Sequence, residues 1–85
     1  LSFIKDFARS CRAGTRMRHW CEIEGIDNNR YVLERGAGVV ARAMAEHMQC
    51  SRSLASLASA LDTAVKADLA DPEIRAKYSK ATGTR

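Results

Sequence analysis

SRSLASLASALDTAVKADLADP, residues 51–72, reads as one helix almost from end to end. Leu54, Leu57, Ala58, Leu61, Val65 and Leu69 recur at steps of three and four, so a narrow apolar stripe runs along it, close to a heptad seam. The other positions are mostly Ser, Ala and Thr rather than the Glu and Lys of a fully solvated helix. That small-residue coat suits packing on more than one side. Ser51 or Ser53 supplies the N-cap, and Asp71-Pro72 ends the run because proline disfavours helical geometry in the residue before it. Pro72 fits the first turn of a further short helix, residues 72–80, anchored by Ile74 and Tyr78.

Upstream, residues 29–49 form a second long helix with Leu33, Gly36, Ala37, Val40, Met44 and His47 on its apolar face. Gly36 and Gly38 each cost about 1 kcal/mol relative to Ala inside a helix. Either another backbone approaches closely there, or the helix breaks at residues 36–38. The two long helices read as a hairpin joined at residues 50–52. Ile26-Asp27-Asn28-Asn29 is turn-forming, with Asp27 or Asn28 as the cap of the long helix after it.

Nearer the N-terminus, Ser2 caps a first helix of about three turns that Gly14 stops, and Thr15 caps a shorter one through Met17, Trp20, Cys21 and Ile23, stopped by Gly25. If Gly14 stays helical, the two merge. No segment alternates like a strand, and no internal repeat or low-complexity linker is present. The expected fold is therefore all-α: a single domain over residues 1–85, a compact bundle of four to five short helices around a central helical hairpin. Its packing spine is Leu33, Val40, Met44, Leu54, Leu57, Leu61 and Val65, shared between the core and a self-association interface.

With 85 residues and only 6% aromatics, the core is built largely from small aliphatic side chains, near the size where one core barely suffices. Such a chain completes its core against a second copy or a helical partner. The net charge of +4 is mild and evenly spread: residues 1–50 carry eight Lys/Arg against six Asp/Glu, and residues 51–85 carry six against four. It favours an acidic partner without amounting to a dedicated nucleic-acid arm. Three cysteines, an odd number, argue for reduced thiols in an intracellular setting, cytoplasmic first. No apolar run approaches the length needed to span a bilayer. The chain begins at Leu1, which allows a fragment or a processed product, with a removed targeting segment leading to an organelle.

The polar residues that look arranged for a partner lie in residues 2–16. On a helical wheel Lys5, Arg9, Arg12 and Arg16 share one face, opposite Phe3, Ile4, Phe7 and Cys11. Arg18, His19 and Trp20 come next, and residues 7–21 contain no carboxylate. For nucleic acid, Lys5, Arg9, Arg12, Arg16 and Arg18 would neutralise phosphates while Trp20 stacks on a base. An acidic protein would receive bidentate contacts from the same arginines. A membrane surface, the least favoured partner, would take Phe3, Ile4 and Phe7. The bland reading is a solvated charged face with the phenylalanines in the domain's own core.

Cys11, His19, Cys21, His47 and Cys50 are all zinc-ligand types, and His47 and Cys50 lie one helical step apart. No C-x2-C pair exists, so the cysteines are read as small apolar core groups and no metal or cofactor is assigned. Gly36-Ala37-Gly38 lacks the following lysine of a phosphate loop, and a Cys–His nucleophile would need a proximity that no motif here encodes. No catalytic residue is assigned and the chain is not read as an enzyme.

Residues 39–62, VVARAMAEHMQCSRSLASLASALD, resemble a stretch of bacteriophage small terminase subunits, in which an Ala-rich helix, a short gap and an L-A-x-L-x-x-x-L-D helix precede the region that supports oligomerisation. The resemblance implies a non-enzymatic, ring-forming DNA-packaging factor that recognises viral DNA and recruits the large catalytic subunit. It transfers no individual binding residue. The resulting expectation is a binding and assembly module that contacts an acidic partner, nucleic acid favoured, through the basic N-terminal face. The alternative is a structural or accessory subunit of a larger protein complex with no nucleic-acid contact.

Overall fold

The computed structural model describes residues 2–47 and 54–80. They form five helices: α1 (Ser2–Ser10), α2 (Ala13–Glu24), α3 (Asn28–His47), α4 (Leu54–Leu69) and α5 (Pro72–Lys77). Among the described residues there is no strand, only an isolated antiparallel bridge between Ile26 and Ser79. The chain folds as a compact all-α bundle. Cys50, Ser51, Ser53 and the joint of the hairpin lie outside the described residues, as do the side chains of Phe3, Ile4, His47 and Leu54.

α3 and α4 pack along each other at the centre, and α1 and α2 cover them. Tyr31, Val39, Val40 and Ala43 of α3 meet Leu61, Ala64, Val65 and Leu69 of α4, while Phe7, Met17 and Cys21 complete the core. Leu61 and Val65 are fully buried, each contributing roughly 1.5–3 kcal/mol by removal of apolar surface from water. Leu57 and Met44 pack half-buried at the core's edge.

Leu33 does not belong to the core: it is 84% exposed. α3 carries two possible apolar faces, and the one through Tyr31, Val39, Val40 and Ala43 is buried. Leu33 lies two residues, about 200°, round the helix from Tyr31 and is turned outward. Ala37 accompanies it into solvent.

Helix boundaries obey local chemistry. Gly25 ends α2 in the left-handed region at φ 72°, letting the Ile26 N–H reach back to the Cys21 carbonyl at 2.9 Å. Asp27 then caps α3, accepting the Arg30 N–H at 3.4 Å. Asp71 caps α5, accepting the Glu73 N–H at 2.9 Å with Pro72 in the first turn.

α3 is continuous through both glycines. A methyl at Gly36 would make only ordinary contact with the Met17 and Val32 side chains at 3.5 Å, and a methyl at Gly38 would meet nothing within 4 Å. Close approach of another backbone therefore accounts for neither glycine. Gly38→Ala is expected to stabilise the fold by about 1 kcal/mol, raising the melting temperature by roughly 4–8 °C in calorimetry. An unchanged or lower melting temperature would mean that residue 38 is not in a regular helix.

The C-terminal end closes the bundle. Beyond α5 the Tyr78 carbonyl accepts the Asp27 N–H at 2.7 Å, and the Lys80 N–H reaches the Gly25 carbonyl at 3.0 Å. Arg30 adds a hydrogen bond to the Lys77 carbonyl at 3.2 Å. This clasp fixes the end of α5 against the α2–α3 turn.

Candidate functional site

The basic stripe is not one continuous helical face. Phe7 of α1 and Cys11 just beyond its end point inward, as do Ala13, Met17 and Cys21 of α2, all buried. Each set steps by four, but Cys11 and Ala13 would lie about 200° apart on a single helix and could not both be buried. Arg12 resolves the conflict by adopting left-handed geometry at φ 54°, which re-phases the chain between α1 and α2. The break therefore falls at Arg12 rather than Gly14, which sits inside α2.

The re-phasing turns Arg16 away from Lys5 and Arg9. Its Nε donates to Asp62 Oδ1 at 3.0 Å and its second guanidinium nitrogen to Oδ2, a bidentate pair with α4. Trp20 Nε1–H donates to the same Oδ1 at 3.0 Å, and Lys66 Nζ lies 4.8 Å from the centre of the indole ring. His19 meets the ring edge-on at 5.5 Å. Trp20 is half-buried, with its N–H and one face engaged within the fold. Thr15, Arg16, His19, Trp20 and Asp62 line an open groove of about 360 Å³. Burial pushes the Asp62 carboxyl upward, but the hydrogen bonds from Arg16 and Trp20 and the nearby cations outweigh it and hold it below the usual range.

Three more arginines are likewise matched within the fold. Arg35 makes a bidentate pair with Asp68 at 2.7 and 2.6 Å, and Tyr31 Oη–H donates to Asp68 at 2.6 Å. Arg75 pairs with Glu24, and Arg30 with Glu34 at 3.8 Å. Arg42, Lys66, Lys77 and Lys80 are exposed without an ion-pair partner among the described residues, and so are Lys5, Arg9, Arg12 and Arg18. The last four fall close together in the sequence. They lie on α1, at the α1–α2 junction and on the first half of α2. Four of the five expected basic contacts thus remain free, while Arg16 and Trp20 belong to the internal cluster.

The thiols are positioned as core groups. Cys21 is fully buried and its pKa is pushed up to about 11 by desolvation; Cys11, also buried, is raised for the same reason and donates its Sγ–H to the Phe7 carbonyl at 3.2 Å. Neither has the thiolate character a nucleophile requires. Among the described residues no group of three or more His, Cys, Asp or Glu is arranged to hold a metal ion. The His47–Cys50 pair lies outside the described side chains.

Sequence reasoning passed over the carboxylates Asp62 and Asp68, which organise the polar contacts of α4. Asp68 carried a readable signal, since it lies in phase with Leu61 and Val65 on the buried stripe. No protein-family model, curated protein or solved structure matches this chain.

Proposed function

We propose that this chain is a non-enzymatic helical binding and assembly module that holds an acidic partner, nucleic acid first, on Lys5, Arg9, Arg12 and Arg18. One observation carries the reading. These four cations fall within residues 5–18, where Asp6 is the one carboxylate, and stand exposed without ion-pair partners among the described residues. Such a patch recruits phosphates by releasing their counterions, with little dependence on base sequence. The buried, protonated thiols of Cys11 and Cys21 suit a reducing intracellular compartment. Among the described residues no helix is long and apolar enough to cross a membrane. In its most specific form, the reading is the DNA-packaging factor that the resemblance of residues 39–62 implies.

The test is fluorescence anisotropy of a labelled short DNA duplex across a salt series. If all four cations contact phosphates, log K should fall with log salt at a slope of roughly −3 to −4. Arg9→Ala/Arg12→Ala should flatten it to about −2, because each lost phosphate contact removes nearly one counterion. Binding that ignores salt, or a slope unaltered in the double variant, would reject the phosphate reading. The second reading, an accessory subunit whose arginines meet protein carboxylates, is favoured by the engagement of the Trp20 N–H and one ring face inside the fold.

A further inference from the structure

Two large apolar side chains of the described residues stand exposed, Leu33 and Ile23. Ile23 is 57% exposed on the last turn of α2, bracketed by the exposed carboxylates Glu22 and Glu24. Glu24 is held by Arg75, while Glu22 has no ion-pair partner among the described residues. The last turn of α2 therefore presents an apolar knob with an acidic rim.

On the other side of α2 lies its counterpart. An open groove of about 260 Å³ runs between α1, α2 and α3, floored by Ala13, Met17, Gly36, Ala37 and Val40. Small residues keep it open. Lys5 forms part of the wall. At Gly14, also in the lining, an Arg18 guanidinium nitrogen lies 3.5 Å from where a Cβ would stand, so a second cation sits at the rim. The groove is smaller than the roughly 300–1,000 Å³ of small-molecule sites, which suits one protruding side chain better than a ligand. It is an apolar hole with a basic rim.

From this complementarity we propose that Ile23 of one copy enters the groove of a second copy of the chain, with Glu22 facing the Lys5 and Arg18 rim. Ile23 and Gly14 are nine positions apart on α2, about half a turn round the axis, so knob and groove face opposite ways. The contact is therefore heterologous, and copies add head to tail. It gives the assembly half of the proposed function its contact and requires no nucleic acid. The buried Leu61 and Val65 take no part, and Arg9 and Arg12 remain outward for an acidic partner.

Sedimentation velocity on the full chain, from micromolar to millimolar concentration, tests the contact. The expected result is an average mass that climbs past the dimer. Ile23→Asp should weaken association by roughly tenfold or more, as loss of a buried isoleucine requires, with melting unchanged because the side chain is exposed in the monomer. Ala37→Arg should do the same by filling the groove. An equimolar mixture of the two variants decides the geometry, because one keeps an intact groove and the other an intact knob. That mixture should form a heterodimer and nothing larger. A wild-type chain that stays monomeric, association indifferent to both substitutions, or a mixture that grows past the dimer would each overturn the proposal. Ile23→Asp should still bind the labelled duplex, with a salt slope at least as steep as wild type because Lys5 and Arg18 are released for phosphate, so failure of this contact and failure of the basic face register separately.

Discussion

Asp68→Ala is expected to lower the unfolding free energy by roughly 3 kcal/mol, the low end of what breaking a buried ion pair by removing one partner costs. Asp68 is 4% exposed and accepts three hydrogen bonds, two from Arg35 and one from Tyr31. Removing it strands the hydroxyl of Tyr31, itself fully buried, while Arg35 is exposed enough to recover some hydration. That relief is why the low end applies. For a domain of this size, with a total stability of roughly 4–13 kcal/mol, the loss is a large share of the whole. Asp68→Asn keeps an acceptor and should cost visibly less. Urea unfolding of the three proteins measures the ordering, and an Asp68→Ala chain within about 0.5 kcal/mol of wild type would show the cluster to be unimportant.

The same cluster sets a pH signature. Burial raises the Asp68 carboxyl, but the hydrogen bonds of Arg35 and Tyr31 and the charges of Arg35 and Arg42 prevail and hold it below its ordinary value. A lowered carboxyl stabilises the fold above its unfolded pKa of about 4 and loses that contribution as pH falls through the folded value. Tyr31 acts in the opposite direction. Burial, then its hydrogen bond to Asp68 and that residue's charge, raises its pKa strongly, so its contribution is full below about pH 10 and is lost above it. Wild-type stability should therefore decline on both flanks. The Asp68→Ala curve should be flatter in acid and in alkali, and superimposable curve shapes would contradict the assignment.

Much of the fold was legible because periodicity and punctuation are local. The α4 stripe, Gly25 as a stop and Asp71-Pro72 as a boundary are each encoded within a few residues, and five helices result from such signals. The site was less legible because its decisive feature is a phase relation. Cys11 and Ala13 needed to be seen as members of two apolar registers that no single helix satisfies; the break at Arg12 and the diversion of Arg16 are then required. Leu33 was misplaced for a related reason: leucine outranks tyrosine as a core residue until Tyr31 is known to have a hydrogen-bond partner. That partner, Asp68, lies on another helix, and sequence order does not report the pairing.

Tyr78 carries the other large expected effect, because it joins the clasp to the core. Its ring is 2% exposed and meets Tyr31 edge-on at 5.8 Å, with the Arg30 guanidinium 5.1 Å from its centre. Its hydroxyl donates to Glu34 at 2.9 Å. Tyr78→Ala should cost about 3–5 kcal/mol, the range for truncating a buried aromatic, because the cavity opens beside Tyr31 and the α5 end loses its anchor. Tyr78→Phe keeps the ring and loses one hydrogen bond to a carboxylate that water reaches, so it should cost only about 1 kcal/mol. Hydrogen exchange separates packing from backbone pairing. In Tyr78→Ala the Asp27 and Lys80 amides, bonded to the Tyr78 and Gly25 carbonyls, should lose protection before α3 and α4 do. If those amides exchange no earlier than the core, the C-terminal strap does not open on its own. The energy of Tyr78 would then lie in the ring alone, and the backbone bridge between residues 26 and 79 would be a consequence of packing rather than a support for it.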